Sequence, residues 1–121
     1  MDIEQHMAMA RSLEASLQKC TSADYEMTIE GAMLAGTHWL NALLHKLGAT
    51  PPQADVFHTY LLTVNEFRRL AVAAEKPLHA LAAIEDMRAP FVRGNYPGGE
   101  TAAERALELL SLIRATALGG T

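Results

Sequence analysis

Apolar residues recur at steps of three and four along nearly the whole chain, the period at which a helix buries one face. From Asp2 to about Lys19 the stripe is Ile3, His6 or Met7, Ala10, Leu13 and Leu17, which predicts a first helix. Cys20-Thr21-Ser22 interrupts it, and Thr21 or Ser22 is placed to cap a second helix, with Asp24 or Glu26 near its positive N-terminal end. That helix runs from about Ala23 to Leu47 and stops at Gly48. Its core stripe is Met33, Gly36, Leu40, Leu43, Leu44 and Leu47, and Ala32, Ala35 and Gly36 are small enough for a neighbouring helix to come close. His38, Asn41 and His45 form a second, polar stripe.

Thr50-Pro51-Pro52-Gln53 reads as a helix start, with Thr50 as cap, prolines tolerated in the first turn and Gln53 completing a capping box. A third helix is expected from there to about Glu75, burying Phe57, Tyr60 or Leu61, Val64, Phe67 and Ala71, with Arg68 and Arg69 near the rim. Pro77 opens a fourth, whose stripe is Leu78 or Leu81, Ile84 and Arg88. Pro90 disfavours helical geometry at Ala89 and removes a donor, so this helix ends or kinks near Arg88, and Gly94, Pro97, Gly98 and Gly99 stop any continuation. Thr101-Ala102-Ala103-Glu104 is a capping box that opens a fifth helix to about Leu118, with Gly119-Gly120-Thr121 expected to fray. In it Leu107, Leu109, Leu110, Leu112 and Ile113 leave only a narrow strip near Arg105, Glu108 and Ser111 for water. Such a helix is either central or covered by a second subunit.

Five helices with short connections, without internal repeat or linker, predict an all-α antiparallel up-and-down bundle forming one domain over residues 1–121. Half of the residues are hydrophobic, enough for a core, while only 6% are aromatic, so the helices pack mainly through alanine and leucine. A net charge of -4 argues against a general electrostatic grip on nucleic acid but is compatible with a local basic patch. Cys20 is the single cysteine, which rules out an intramolecular disulfide and a cysteine metal cluster and suits a reducing cytoplasm. The first residues are acidic, and no stretch reaches the ~18 uninterrupted apolar residues of a membrane span. The expectation is a soluble, cytoplasmic protein without a membrane partner.

Candidate chemistry concentrates on a few polar residues. Arg88 lies four residues after Ile84 and seven after Leu81, on their face, so it points inward or to an interface and needs a partner; Glu30 or Glu26 is the expected carboxylate, with phosphate recognition the functional alternative. Arg93, beside Gly94 and Asn95, sits at a corner. His38 and His45 are two helical turns apart, roughly 10 Å of rise, too far to chelate one ion, which leaves only a dinuclear or intersubunit site open to them. Asp55 and His58 have the spacing of a carboxylate–imidazole pair, and also of an ordinary helix-start charge pair. Glu26 and Glu30 lack the accompanying Glu-x-x-His of a bundle carboxylate site. Trp39, Tyr60 and Tyr96 read as core or interface aromatics. No phosphate-binding glycine loop, serine nucleophile elbow or zinc motif appears, so no catalytic residue, metal ligand or cofactor is assigned.

Three stretches resemble one family. Gly31 to Gly48, with Ala42-Leu43-Leu44-His45-Lys46-Leu47-Gly48, resembles the second helix of HEPN-like proteins, the higher eukaryote and prokaryote nucleotide-binding family. Asp55-Val56-Phe57-His58-Thr59 looks like the start of that family's third helix. Arg93-Gly94-Asn95-Tyr96-Pro97-Gly98-Gly99-Glu100-Thr101, with the helix Ala102 to Ala117, is similar to its Tyr-Pro segment and closing helix. The resemblance implies a HEPN-like bundle, a homodimer, and a nucleotide or RNA ligand. A nucleotidyltransferase partner is also implied. Ribonucleases of the family carry an arginine followed four to six residues later by a histidine, at a cleft between subunits. Arg88 or Arg93 matches the arginine, but no histidine follows His79. The expected function is therefore a non-catalytic binding module, dimeric through the fourth and fifth helices, with Arg88, Arg93, Asn95 and Tyr96 lining its cleft. A degenerate metal-independent ribonuclease of toxin type and a purely structural interaction domain are the alternatives.

Overall fold

The structure, a computed structural model, describes residues 1–119; Gly120 and Thr121, in the tail expected to fray, lie outside the described residues. It is an all-α bundle of α1 (Ile3–Leu17), α2 (Tyr25–Lys46), α3 (Val64–Asp86) and α4 (Gly99–Ala117), without a strand among the described residues. No helix is long and apolar enough to cross a membrane. The helix most enclosed by the others is α2, which packs against α1, α3 and α4.

Ile29, Ala32, Met33, Ala35, Trp39, Leu40, Leu43 and Leu44 are buried along α2, facing Leu78, Leu81 and Ile84 of α3 and Ala106, Leu110 and Ile113 of α4 across one core. Gly36 permits that convergence: a Cβ there would stand 3.2 Å from Ile113 Cδ1 and 3.4 Å from Leu81 Cδ1. Leu47, expected in the core, is exposed, because Gly48 adopts φ +70° and turns the chain away as the helix stops. At the other end Asp24, not Thr21 or Ser22, occupies the N-cap, and its carboxylate accepts from the Thr21 N–H and hydroxyl to close the preceding turn. Asp2 and Gln5 form a capping box for α1.

The largest departure concerns residues 48–63. Thr50 does not start a helix; the segment is a connection containing a single 3-10 turn, Thr59–Leu61, and α3 begins at Val64 with Thr63 and Glu66 as its capping box. Tertiary partners claim the groups a helix would use: the Thr50 hydroxyl bonds His45, and the Val56 N–H and C=O both bond the Asn41 amide. The predicted stripe consequently fails over its first half. Phe57, Tyr60, Leu61 and Val64 are exposed, and Leu70 and Ala74 are buried instead.

The boundary expected between the third and fourth helices survives as a kink within α3, which makes four helices where five were expected. Pro77 has no N–H for the carbonyl of Ala73, and Ala74 leaves helical geometry at φ -148°, ψ 56°. Beyond the kink Leu78, Leu81 and Ile84 face the core as their spacing predicts. After Asp86 the chain passes through a π turn, Ala89–Arg93, closed by the Gly94 N–H on the Ala89 carbonyl at 2.9 Å. The last helix starts two residues before the Thr101 box. Gly98 is its N-cap at φ +99°, without a side-chain cap, and Gly99 packs against the Tyr25 ring. Gly98→Ala forces a side chain into left-handed geometry and is expected to cost about 1–2 kcal/mol, read as a lower urea midpoint with an unchanged slope.

Candidate functional sites

The corner after α3 divides the four residues expected to line one cleft. Arg88 and Arg93 do share a cleft, of about 330 Å³, with Tyr60, Glu85, Asp86 and Ala89. Asn95 and Tyr96 line a separate depression with Tyr25 and the start of α4, because the π turn and the extended Gly94 carry the chain past the arginines. Arg88 Nε donates to Glu30 Oε1 at 2.8 Å, tying the corner after α3 to α2. That hydrogen bond raises the Arg88 pKa above its ordinary value, with a further contribution from Tyr60, against a lowering by burial. Arg93 makes no ion pair among the described residues. Of the aromatics, Trp39 is in the core, whereas Tyr60 and Tyr96 are exposed.

Three polar side chains dock the 48–63 connection onto the bundle. Asn41, buried in α2, donates to the carbonyls of Thr37 (2.8 Å) and Val56 (2.7 Å) and accepts from the Val56 N–H (2.7 Å). Glu85 of α3, only 5% exposed, accepts from the Thr59 N–H (3.1 Å to Oε2), the Thr59 hydroxyl and His58 Nδ1 (3.0 Å). The His58 ring stacks on Tyr60 with centroids 4.7 Å apart, which brings this pair beside the arginine cleft.

The third is Asp55. Its Oδ1 lies 2.8 Å from His6 Nε2 and 2.8 Å from His45 Nε2, and its Oδ2 accepts from the Met1 ammonium at 3.1 Å. Behind the rings, His6 Nδ1 is 2.9 Å from His38 Nδ1, and His45 Nδ1 is 2.9 Å from the Thr50 hydroxyl and 3.1 Å from the Thr50 carbonyl. Burial alone would push the Asp55 carboxyl up, but hydrogen bonds from His6, His45 and the Met1 ammonium prevail and hold it down to about 2. Burial lowers the pKa of His38, and His6 adds to that against the attraction of Asp55.

Spacing along the chain pointed to a different pairing, Asp55 with His58. In the folded protein these two turn to opposite partners, Asp55 to His6 and His45, His58 to Glu85. Two signals of the cluster were present in the sequence: a histidine at a core position of the first helix, and the polar stripe His38, Asn41 and His45 on the second. Among the described residues no buried side-chain nitrogen or oxygen lacks a partner, so both networks are closed. Comparison of the chain with protein-family models, with curated proteins and with solved structures finds no match, and the functional reading therefore rests on this geometry.

Proposed function

We propose that the domain is a non-catalytic binding module of HEPN-like type that takes a phosphate-bearing ligand, a nucleotide or RNA, at the Arg88–Arg93 cleft. The observation that carries this reading is the contrast between the two arginines. Arg88 is oriented and partly neutralised by Glu30, whereas Arg93 opens into the same cleft without an ion-pair partner among the described residues. Glu85 shares the cleft, but its carboxylate turns to Thr59 and His58, which leaves Asp86 as the one acid there without such an engagement. A planar guanidinium suits phosphate through paired N–H donors. Pairing with a second copy through α4 belongs to the same reading, since Leu107 and Leu112 remain 40% and 36% exposed on it.

The test is calorimetric titration with ATP and with a short single-stranded RNA, alongside light scattering for the oligomeric state. Arg93→Ala is expected to weaken binding at least ten-fold, about 1.4 kcal/mol, while leaving the ligand-free melting temperature unchanged. Arg88→Ala should lower stability as well, because it leaves Glu30 without its partner. Absence of binding by the folded wild-type protein, or equal binding by Arg93→Ala, removes this reading.

A second reading is favoured by His58. An imidazole held through Nδ1 by a buried carboxylate is the arrangement of an oriented acid–base group, and it stands beside the arginine cleft although no histidine follows Arg93 in the chain. RNA cleavage that persists in chelator and vanishes in folded His58→Gln would replace the binding module with the ribonuclease.

A further inference from the structure

His6 from α1, His45 from α2 and Asp55 from the connection bring three donor atoms within 4.8 Å of one another, and none of these residues belongs to the Arg88–Arg93 cleft. His6 and His45 are 2% and 9% exposed. Each presents Nε2 at 2.8 Å to the same carboxylate oxygen. A carboxylate oxygen only accepts, so without a cation each Nε2 must carry a proton. For His6 that assignment is satisfied, because Nδ1 then accepts from His38. For His45 it is satisfied as well, because a bare Nδ1 accepts from the Thr50 hydroxyl, but the Thr50 carbonyl, 3.1 Å from the same Nδ1, then receives no proton from the ring. A cation at Nε2 moves the ring proton to Nδ1, where that carbonyl can accept it.

We infer that His6 Nε2, His45 Nε2 and Asp55 Oδ1 form a binding site for one divalent first-row transition ion, with zinc as the reference occupant. With the ion at Nε2, His45 donates its Nδ1–H to the Thr50 carbonyl and His6 donates its Nδ1–H to His38. These are the outer hydrogen bonds that metal-bound imidazoles ordinarily make. Two imidazoles and a carboxylate suit Zn²⁺, Co²⁺, Ni²⁺ or Cu²⁺, whereas Mg²⁺ and Ca²⁺ favour all-oxygen sets. Tetrahedral bonds of about 2.0–2.1 Å hold donors about 3.3 Å apart, so loading opens the present contacts by about half an ångström. Three protein ligands leave a fourth position for water or a small anion.

The test uses protein purified without a polyhistidine tag, stripped with chelator and dialysed, then titrated with Zn²⁺ by calorimetry and with Co²⁺ by visible absorption. One equivalent is expected to bind with micromolar or tighter affinity, to give the d–d bands of four-coordinate Co²⁺, and to raise the melting temperature. Asp55→Asn and His45→Gln should each weaken binding at least ten-fold. His38→Gln, outside the donor set, should weaken it by about ten-fold to a hundred-fold through loss of the hydrogen bond that orients His6. His79→Gln, on the exposed side of α3, should change nothing. Failure of the folded wild-type protein to bind Zn²⁺, Co²⁺, Ni²⁺ or Cu²⁺ overturns the proposal and leaves the network as hydrogen bonds alone; uptake that survives both ligand substitutions overturns it too. If those variants do not fold, the imidazole ¹⁵N resonances of the wild-type protein decide: zinc must move Nε2 of His6 and His45 and spare His79, and a lack of movement at either overturns the site.

Discussion

Trp39→Ala is expected to destabilise the domain by about 3–5 kcal/mol, the largest loss anticipated for a single side chain here. The indole is 1% exposed in the middle of α2 and is the largest fully buried side chain in the core. Truncation empties that volume where the surrounding helices are already in contact, so collapse can recover only part of it. The indole N–H also donates to Glu14 Oε2 at 2.7 Å, and Glu14 binds Arg114 of α4 through its other oxygen. One ring thus joins three helices. Against a total stability of about 5–15 kcal/mol, the loss is a large fraction of the whole. Urea denaturation followed by circular dichroism measures it. Trp39→Phe keeps much of the volume and lacks the N–H, so its smaller loss isolates the hydrogen bond. A loss below about 1 kcal/mol for Trp39→Ala would show that the core repacks around the gap.

Asn41→Ala ranks next, at about 2–4 kcal/mol, for a different reason. Little volume is lost, but the N–H and C=O of Val56 lose their partner at a place where Val56 is buried. An unsatisfied buried backbone group costs more than a typical hydrogen bond contributes. Release of the connection should follow, since Asn41 holds its middle between the attachments of Asp55 and Thr59. Hydrogen exchange separates this outcome from general weakening. Amides of residues 54–60 should lose protection by more than those of α4, and a uniform loss across the bundle would contradict the local account. Asn41→Asp keeps an acceptor for the Val56 N–H but turns a buried carboxylate oxygen onto the carbonyls of Thr37 and Val56, and should cost at least as much as alanine.

Much of the helical framework could be read from local pattern because its causes are local. The Gly48 stop needs only the left-handed conformation that glycine adopts freely, and the structure places Gly48 at φ +70°. The break before Pro77 needs only a missing donor, and it appears at Ala74. The spacing of Arg88 from Ile84 and Leu81 implies a need for a counter-charge, and Glu30 supplies it, although the guanidinium is half-buried at the mouth of a cleft and not in the core. Thr50-Pro51-Pro52-Gln53 shows where such reasoning ends. Its residues fit a capped helix start, yet the hydroxyl meant for capping is taken by His45.

Local spacing thus settled the α-helical class, most of the stripe of α2 and the glycine and proline boundaries. Folding of distant segments onto one another decided the conformation of residues 48–63 and both polar networks. The deciding contacts join residues far apart in the chain, such as His6 with Asp55 across 49 positions and Thr59 with Glu85 across 26. Periodicity reports which face of a helix is apolar, but it carries no information about which polar groups meet when three elements close over one another. A buried hydrogen bond outweighs the modest preference of a short segment for helix, since leaving either partner unsatisfied costs about 1–3 kcal/mol and helix propensity differs by only a few tenths per residue.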